Sequence, residues 1–391
     1  MRNREQDLIK QELRVCLFTD ADVFAGTERH MLDLACGLRE IGVSVRIACP
    51  RPSPLASKAD DAGLDVLAVS KGGLVDSPAV RVLAEELRKG NVRIIHAHNG
   101  RTALIAALSV QVAGRGRCVT TQHFLEPSHA ARRGLKALPS RLAHRWVSAK
   151  MQHTIAISQA VGRSLLDRGE APPGGITVVP NGLSCGAVDS AEAASLRREF
   201  GVPEAAPLIV CVARLEPEKG LRTLLQALAE LLTSRPDVRA LVVGDGSQRQ
   251  ALQEAAGELG IADAVRFTGF RDDARAAIAA SDVFVLPSPA EPFGLVLLEA
   301  MALGRAVVAV NAGGPQEIVV DGETGRLVPA NDPQALADTL AGLIARPAER
   351  LRMGRAGRGR YQACYTTRQM AERTLAVYKA ALGADMAGRD L

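Results

Sequence analysis

Residues 287–314 read PSPAEPFGLVLLEAMALGRAVVAVNAGG. An apolar run, DVFVLPS (282–288), leads into this stretch, a helical segment is expected over 293–303, and a second apolar run, AVVAVNAGG (306–314), closes it. Two short continuous apolar runs joined through a helix form a unit of parallel strands covered on both faces. Two carboxylates, Glu291 and Glu299, flank the helix start, the first in a Pro-rich turn and the second inside the helix. With the helix read from Phe293, a rise of about 1.5 Å per residue puts them roughly 10 Å apart. Carboxyls that act as a retaining glycosidase pair sit about 5–5.5 Å apart, so these two suit the ends of one long ligand better. Phe293, Gly294 and Leu295, at the helix start, would offer unpaired N–H groups and a positive dipole end to a diphosphate.

The same alternation extends in both directions. Before it come PLIVCVARL (207–215), a helix from about 220, RALVVGDG (239–246), a helix over 247–259, VRFTGF (265–270) and a helix over 273–280; GRLVP (325–329) follows. Further upstream, RVCLFTD (14–20), VSVRIAC (43–49), VRIIHAH (92–98), RCVTTQH (117–123), TIAIS (154–158) and ITVVPNG (176–182) alternate with helical segments around 27–41, 79–89 and 101–113 and one ending near Arg168. The polar, alanine-rich stretch 186–206 reads as a connector. The expected architecture is α/β: two doubly wound Rossmann-like domains, 1–185 and 186–366, with strand ends facing across a cleft, and a helix in 367–391 folding back onto the first.

A chain of 391 residues with 47% hydrophobic and 23% charged residues can build two such cores. Aromatics at 3% argue against base stacking on nucleic acid. The charged N-terminus MRNREQDLIKQELRVCLF lacks the apolar region of an export signal, and TALIAALSVQVAG (102–114) is too short to span a bilayer. Seven scattered cysteines without a CxxC read as reduced thiols, and the cytoplasm is the expected compartment. Up to Cys185 there are 25 Lys/Arg against 17 Asp/Glu, and beyond it 23 against 26, so the two halves are expected to face different partners. All seven histidines fall in the first half.

Arg214 and Lys219 follow a buried strand and flank the turn EPEKG. Two fixed cations there can stabilise charge on an anionic ligand, and a lysine at a helix start opposes the dipole, which favours a ligand role over a solvated terminus. Gly26 opens the first helix, where the missing Cβ allows close approach to a phosphate or sugar. His123 ends a strand at the expected cleft edge. His96 and His98, an HxH read as facing opposite sides of the strand, are not expected to chelate one metal. Asp20 and Asp22 spell DAD, but metal binding is not expected of them. Between Pro127 and Leu166 there is no acidic residue, while Arg132, Arg133, Lys136, Arg141, Arg145, Lys150 and Arg163 are present. With the stripe Leu135, Leu138, Leu142 and Trp146, this stretch reads either as a face for an anionic membrane or a phosphate-bearing acceptor, or as a core stripe under a solvated face.

Taken in order, ARLEPEKG (213–220), VVGDG (242–246), FTGF (267–270), the stretch 288–314 and DGETGRLVP (321–329) resemble the second domain of the retaining GT-B glycosyltransferases of the glycogen-synthase-like fourth family. In the first half AGTERHMLDLACGL (25–38), RIIHAHN (93–99), TTQHF (120–124), AISQAVGRSLL (156–166) and VVPNGL (178–183) agree, although the family commonly has two glycines where this chain has Ala25 and Gly26. The resemblance, over about residues 15–380, implies a GT-B fold and transfer of a sugar from a nucleotide sugar, UDP- or GDP-linked, to a glycan or lipid-linked hydroxyl in envelope synthesis. It implies retention at the anomeric carbon, no essential metal and no cofactor. It also implies that Glu299 holds the ribose, Glu291 the transferred sugar, Arg214 and Lys219 the diphosphate, and that His123 donates to a sugar hydroxyl. Phe270 and Arg271 are expected near the base edge. A basic segment on a membrane would place the enzyme at the inner face of the plasma membrane. A nucleotide-sugar 2-epimerase of the same fold and a non-catalytic nucleotide-sugar-binding partner are the competing readings.

Overall fold

The computed structural model describes residues 13–73, 76–125, 138–172 and 174–383. The chain forms two compact units, one built from residues up to Leu183 together with those from Thr366 onward, the other from Ser184–Tyr365.

In the first unit seven parallel strands stand in the order β3-β2-β1-β4-β5-β6-β7: β1 Arg14–Phe18, β2 Ser44–Cys49, β3 Asp65–Ala68, β4 Ile94–Ala97, β5 Arg117–Gln122, β6 His153–Ala156 and β7 Ile176–Val178. Strand β1 shows why these runs are apolar throughout. Val15 and Leu17 join one core with Met31, Leu34 and Leu38 of the helix Gly26–Glu40, and with Met370, Leu375 and Tyr378 of the helix Thr367–Gly383. Cys16 and Phe18 face the other way, into a core with Leu83 and Leu87 of the helix Ser77–Arg88 and Ile105 of the helix Gly100–Ala113. Alternating side chains thus meet helices on both faces, and truncating Leu17 or Phe18 to alanine costs about 2–5 kcal/mol.

The second unit carries six parallel strands in the order β10-β9-β8-β11-β12-β13: β8 Leu208–Val212, β9 Arg239–Val243, β10 Val265–Gly269, β11 Val283–Leu286, β12 Ala306–Val310 and β13 Gly325–Val328. Leu221, Leu224, Leu225 and Leu228 of the helix Leu221–Ser234 pack over this sheet with Ile209, Val242 and Val285. The stretch read as a connector contains a helix, Ser190–Glu199, started by the Asp189 carboxylate, which accepts from Ala191 N. Its only buried side chain is Leu196, so it lacks the apolar stripe that marks a helix in sequence.

Strand order reverses between β1 and β4 in the first sheet and between β8 and β11 in the second. In open parallel sheets ligands bind outside the carboxyl ends of the strands at such reversal points.

Candidate active site

At the reversal point of the second unit, β8 runs out through Ala213 and Arg214 into a short 3-10 turn, Pro217–Lys219. Gly220 follows with φ +66°, and a Cβ there would lie 2.1 Å from the carbonyl oxygen of Pro287, at the exit of β11. Only glycine lets the two exit loops touch. That contact delivers Lys219 Nζ to 2.8 Å from Glu291 Oε2, with the side chains 17% and 12% exposed. The Glu291 carbonyl in turn accepts from Gly314 N at 2.9 Å, which ties the loop to the exit of β12. Glu216 accepts from the backbone N–H and the hydroxyl of Ser247, bonds that hold its carboxyl below the usual range. Arg214 is more exposed and pairs with Glu218 at 2.8 Å.

The helix expected from Phe293 begins instead at Leu295 and ends at Ala302. Gly294 is its N-cap, at φ 104°, and no side chain caps it. Phe293 is buried and meets the Tyr365 ring edge-on at 6.2 Å. Its ring therefore belongs to the core. Glu299, within the helix, lies 3.9 Å from Arg275 Nε. Phe270 is exposed. Arg271 is committed elsewhere: it makes four hydrogen bonds, two each to Asp273 and Glu199, and stacks on Phe200. These carboxylates, Asp273 foremost, raise its pKa, so it does not present a free guanidinium to a base edge.

In the first unit the loop after β1 opens the helix Gly26–Glu40, whose Ala25 N-cap gives no side-chain acceptor, while Glu28 reaches back to Ala25 N at 3.1 Å. Asp20 accepts from Asn99 and pairs with Arg101, whereas Asp22 pairs with Lys71, so the two carboxylates of DAD are held by different partners. His96 and His98 do not face opposite sides. Their rings lie 4.3 Å apart, because residues two apart share a strand face. His96 is held by Tyr378 Oη at 2.6 Å and Thr121 Oγ1 at 2.7 Å. His123, buried at the end of β5, meets His98 Nδ1 through Nε2 at 3.2 Å. His30 stands edge-on to His123, ring centroids 4.8 Å apart. Burial drives all four histidines toward the neutral form, His30 to about 4 and His96 to about 3, with His98 and His123 well below the ordinary value.

One nitrogen from each of His30, His98 and His123 lies within 4.8 Å of the others, a donor set that could hold a transition metal. The His98–His123 pair argues against it. Their centroids are 5.5 Å apart, longer than the N···N distance by two ring radii, so the two nitrogens meet head-on as in an N–H···N bond. A metal requires lone pairs that converge on a third point.

Two sequence profiles match the chain: "Glycosyltransferase Family 4" over residues 24–186 and "Glycosyl transferases group 1" over 193–360. A phosphatidyl-myo-inositol mannosyltransferase of Mycobacterium leprae is 31% identical over 367 residues, covering 86% of this chain and 88% of that protein. The chain belongs to glycosyltransferase family 4. A D-inositol 3-phosphate glycosyltransferase of Corynebacterium efficiens is likewise 31% identical, over 89% of this chain and 82% of its own length. The crystal structure of Anabaena HepE in complex with UDP shares the fold, with a TM-score of 0.79 at 21% identity over 94% of this chain and 100% of that one. The protein is thus a GT-B glycosyltransferase, and its relatives are transferases, which does not favour the epimerase or the non-catalytic reading.

For this glycosyltransferase, sequence reasoning did not find His30 or Tyr378 as parts of the histidine cluster. The signals were the confinement of every histidine to the first half and the HxH itself. Of the basic stretch, Arg132, Arg133 and Lys136 lie outside the described residues, as does the Arg141 side chain within the helix Leu138–Lys150. Arg145 is exposed. Leu142 and Trp146 are 57% and 43% exposed, so these two stripe positions do not belong to the core of the unit, whereas Val147 is buried. Among the described residues no helix is long and apolar enough to cross a membrane.

Proposed function

We propose that this glycosyltransferase moves a sugar from a nucleoside diphosphate sugar, UDP- or GDP-linked, to a hydroxyl of a glycan or lipid-linked acceptor, with retention and without an essential metal ion or cofactor. The observation that carries the reading is the Lys219–Glu291 pair at the reversal point of the second sheet, beside the uncapped helix start at Gly294. Lys219, with Arg214, meets charge that grows on the diphosphate as it leaves, so both act more strongly in the transition state than in the ground state. The N–H groups around Gly294 and Leu295 take the remaining phosphate oxygens. Glu291 orients Lys219 and accepts from the transferred sugar, Glu299 accepts from the ribose, and Phe270 borders the base. Gly26 allows close backbone approach, and His123 donates to a hydroxyl of the transferred sugar. The leaving diphosphate accepts the proton of the acceptor hydroxyl as the new glycosidic bond forms on the face the diphosphate leaves.

The relatives named for inositol substrates support a glycolipid or phosphate-bearing acceptor. Exposed Leu142, Trp146 and Arg145 support attachment at an anionic membrane, and equal co-sedimentation with anionic and neutral liposomes would remove that part. The main test is a screen for hydrolysis of UDP-, GDP- and ADP-sugars with excess chelator present, followed by NMR of the anomeric centre in the product. One donor is expected to be consumed with its configuration kept, and to survive in Lys219→Ala and Glu291→Ala. Near-normal turnover in both variants overturns the assignment.

A further inference from the structure

The histidine cluster contains a hydrogen bond whose direction can be worked out. His98 is 1% exposed, and its Nε2 is buried without a hydrogen-bond partner among the described residues. Its Nδ1 meets His123 Nε2 head-on at 3.2 Å. A neutral imidazole has one N–H and one lone pair, so the contact holds one proton and leaves two assignments. If His123 Nε2 carried it, His98 would have its own proton on Nε2, a buried donor with nothing to bond. If His98 Nδ1 carries it, His98 Nε2 keeps only a lone pair. Buried orphan N–H groups are rarer than under-used acceptors, because a strong donor stripped of water loses more.

We propose that His98 donates from Nδ1 to His123 Nε2 and so fixes the His123 proton on Nδ1, the edge that no other described residue engages. Burial keeps both rings neutral, and a second proton, which would break the pattern, is disfavoured. His98 is held in place in turn. Its backbone N–H donates to Thr102 Oγ1, and its ring lies against that of His96, itself fixed by Tyr378 and Thr121. His98 is a positioning residue: it selects the tautomer in which His123 can donate to a sugar hydroxyl. That last consequence rests on the role given to His123 under the proposed function; the tautomer itself does not.

The full-length protein labelled with 15N-histidine tests both, with the His123 signals assigned by their loss in His123→Gln. The expected wild-type spectrum shows a protonated Nδ1 and an unprotonated Nε2 for His123. Protonation at Nε2 would overturn the proposal without any variant. His98→Asn places an amide N–H near the position of Nδ1 and is expected to keep the Nδ1–H form, whereas His98→Leu has no donor and releases it. An unchanged His123 spectrum in His98→Leu overturns the assignment. In transfer assays His98→Leu is expected to lower kcat about tenfold at nearly constant KM, the worth of one neutral hydrogen bond, with His98→Asn restoring it. A shifted tautomer with unchanged kcat would overturn the positioning role and remove His123 from the reaction, while leaving the direction of the bond intact.

Discussion

Replacing Lys219 by methionine keeps most of the stem volume and deletes the ammonium 2.8 Å from Glu291. Two unit charges about 4 Å apart at an effective dielectric near 20 attract by roughly 4 kcal/mol. Both side chains are largely shielded here, at 17% and 12% exposed, so water replaces only part of the lost partner. Returning about half of the attraction leaves Lys219→Met less stable by about 2 kcal/mol. Glu291→Gln strands the ammonium in the same way and costs about the same. In the double variant no charge is left uncompensated, and neutral replacements for a shielded pair are often nearly cost-free, so its loss is expected to be about 1–2 kcal/mol and the coupling energy about 2–3 kcal/mol. Urea unfolding of the full chain, followed by far-UV circular dichroism, measures the cycle. Activity is expected to behave differently: each single variant lowers kcat about 100- to 1,000-fold, as loss of a charge-stabilising group does, and the double variant recovers none of it. Additive single losses of stability, with coupling under about 0.5 kcal/mol, would refute the paired geometry, and recovered turnover in the double variant would refute the division of roles.

Gly220→Ala puts a Cβ at a positive φ and 2.1 Å from the Pro287 carbonyl, so a loss of at least about 2 kcal/mol and a lower melting temperature are expected, while Gly186→Ala, with open space around it, serves as the unaffected control. His30 and His96, held near 4 and 3 against an ordinary 6.5, bind fewer protons folded than unfolded. Their stabilisation is complete above about pH 6.5 and is lost as pH falls toward the folded values, by about 2 kcal/mol each at pH 5, which urea midpoints at pH 7.5 and 5 would record and an unchanged midpoint would contradict. Burial pushes the thiols of Cys16, Cys118 and Cys211 up to about 12, and Cys49 is buried as well. A chromogenic thiol reagent at pH 8 should therefore titrate at most Cys36, Cys185 and Cys364 quickly in the native protein and all seven after denaturation.

The strands were legible because both their faces are buried, which turns them into continuous apolar runs such as VVAV and VFVL. Strand β3, half-exposed at the sheet edge, and the helix Ser190–Glu199, with Leu196 alone buried, carry no such mark and were missed. Lys219 and Glu291 could each be picked out from the chemistry of their turns. Their pairing could not, since they stand 72 residues apart and meet only because β8 and β11 are neighbours. His98 and His123 meet through the β4–β5 pairing in the same way. The HxH was misjudged for a simpler reason: positions two apart in a strand lie on one face, so the motif was itself a sign of clustering.

The helix Thr367–Gly383 belongs to the first unit, and its Tyr378 bonds a histidine from the middle of that unit's sheet. During synthesis the second unit, which is continuous from Ser184 to Tyr365, has its whole sequence available before the first does. The first unit emerges early yet must wait for the helix Thr367–Gly383, translated after the whole second unit, before its core, Met370 and Tyr378 included, can close. Ribosomal order and the order of completion are therefore opposed in this chain, and an early stop codon that spares every catalytic candidate would still leave the histidine cluster without its anchor.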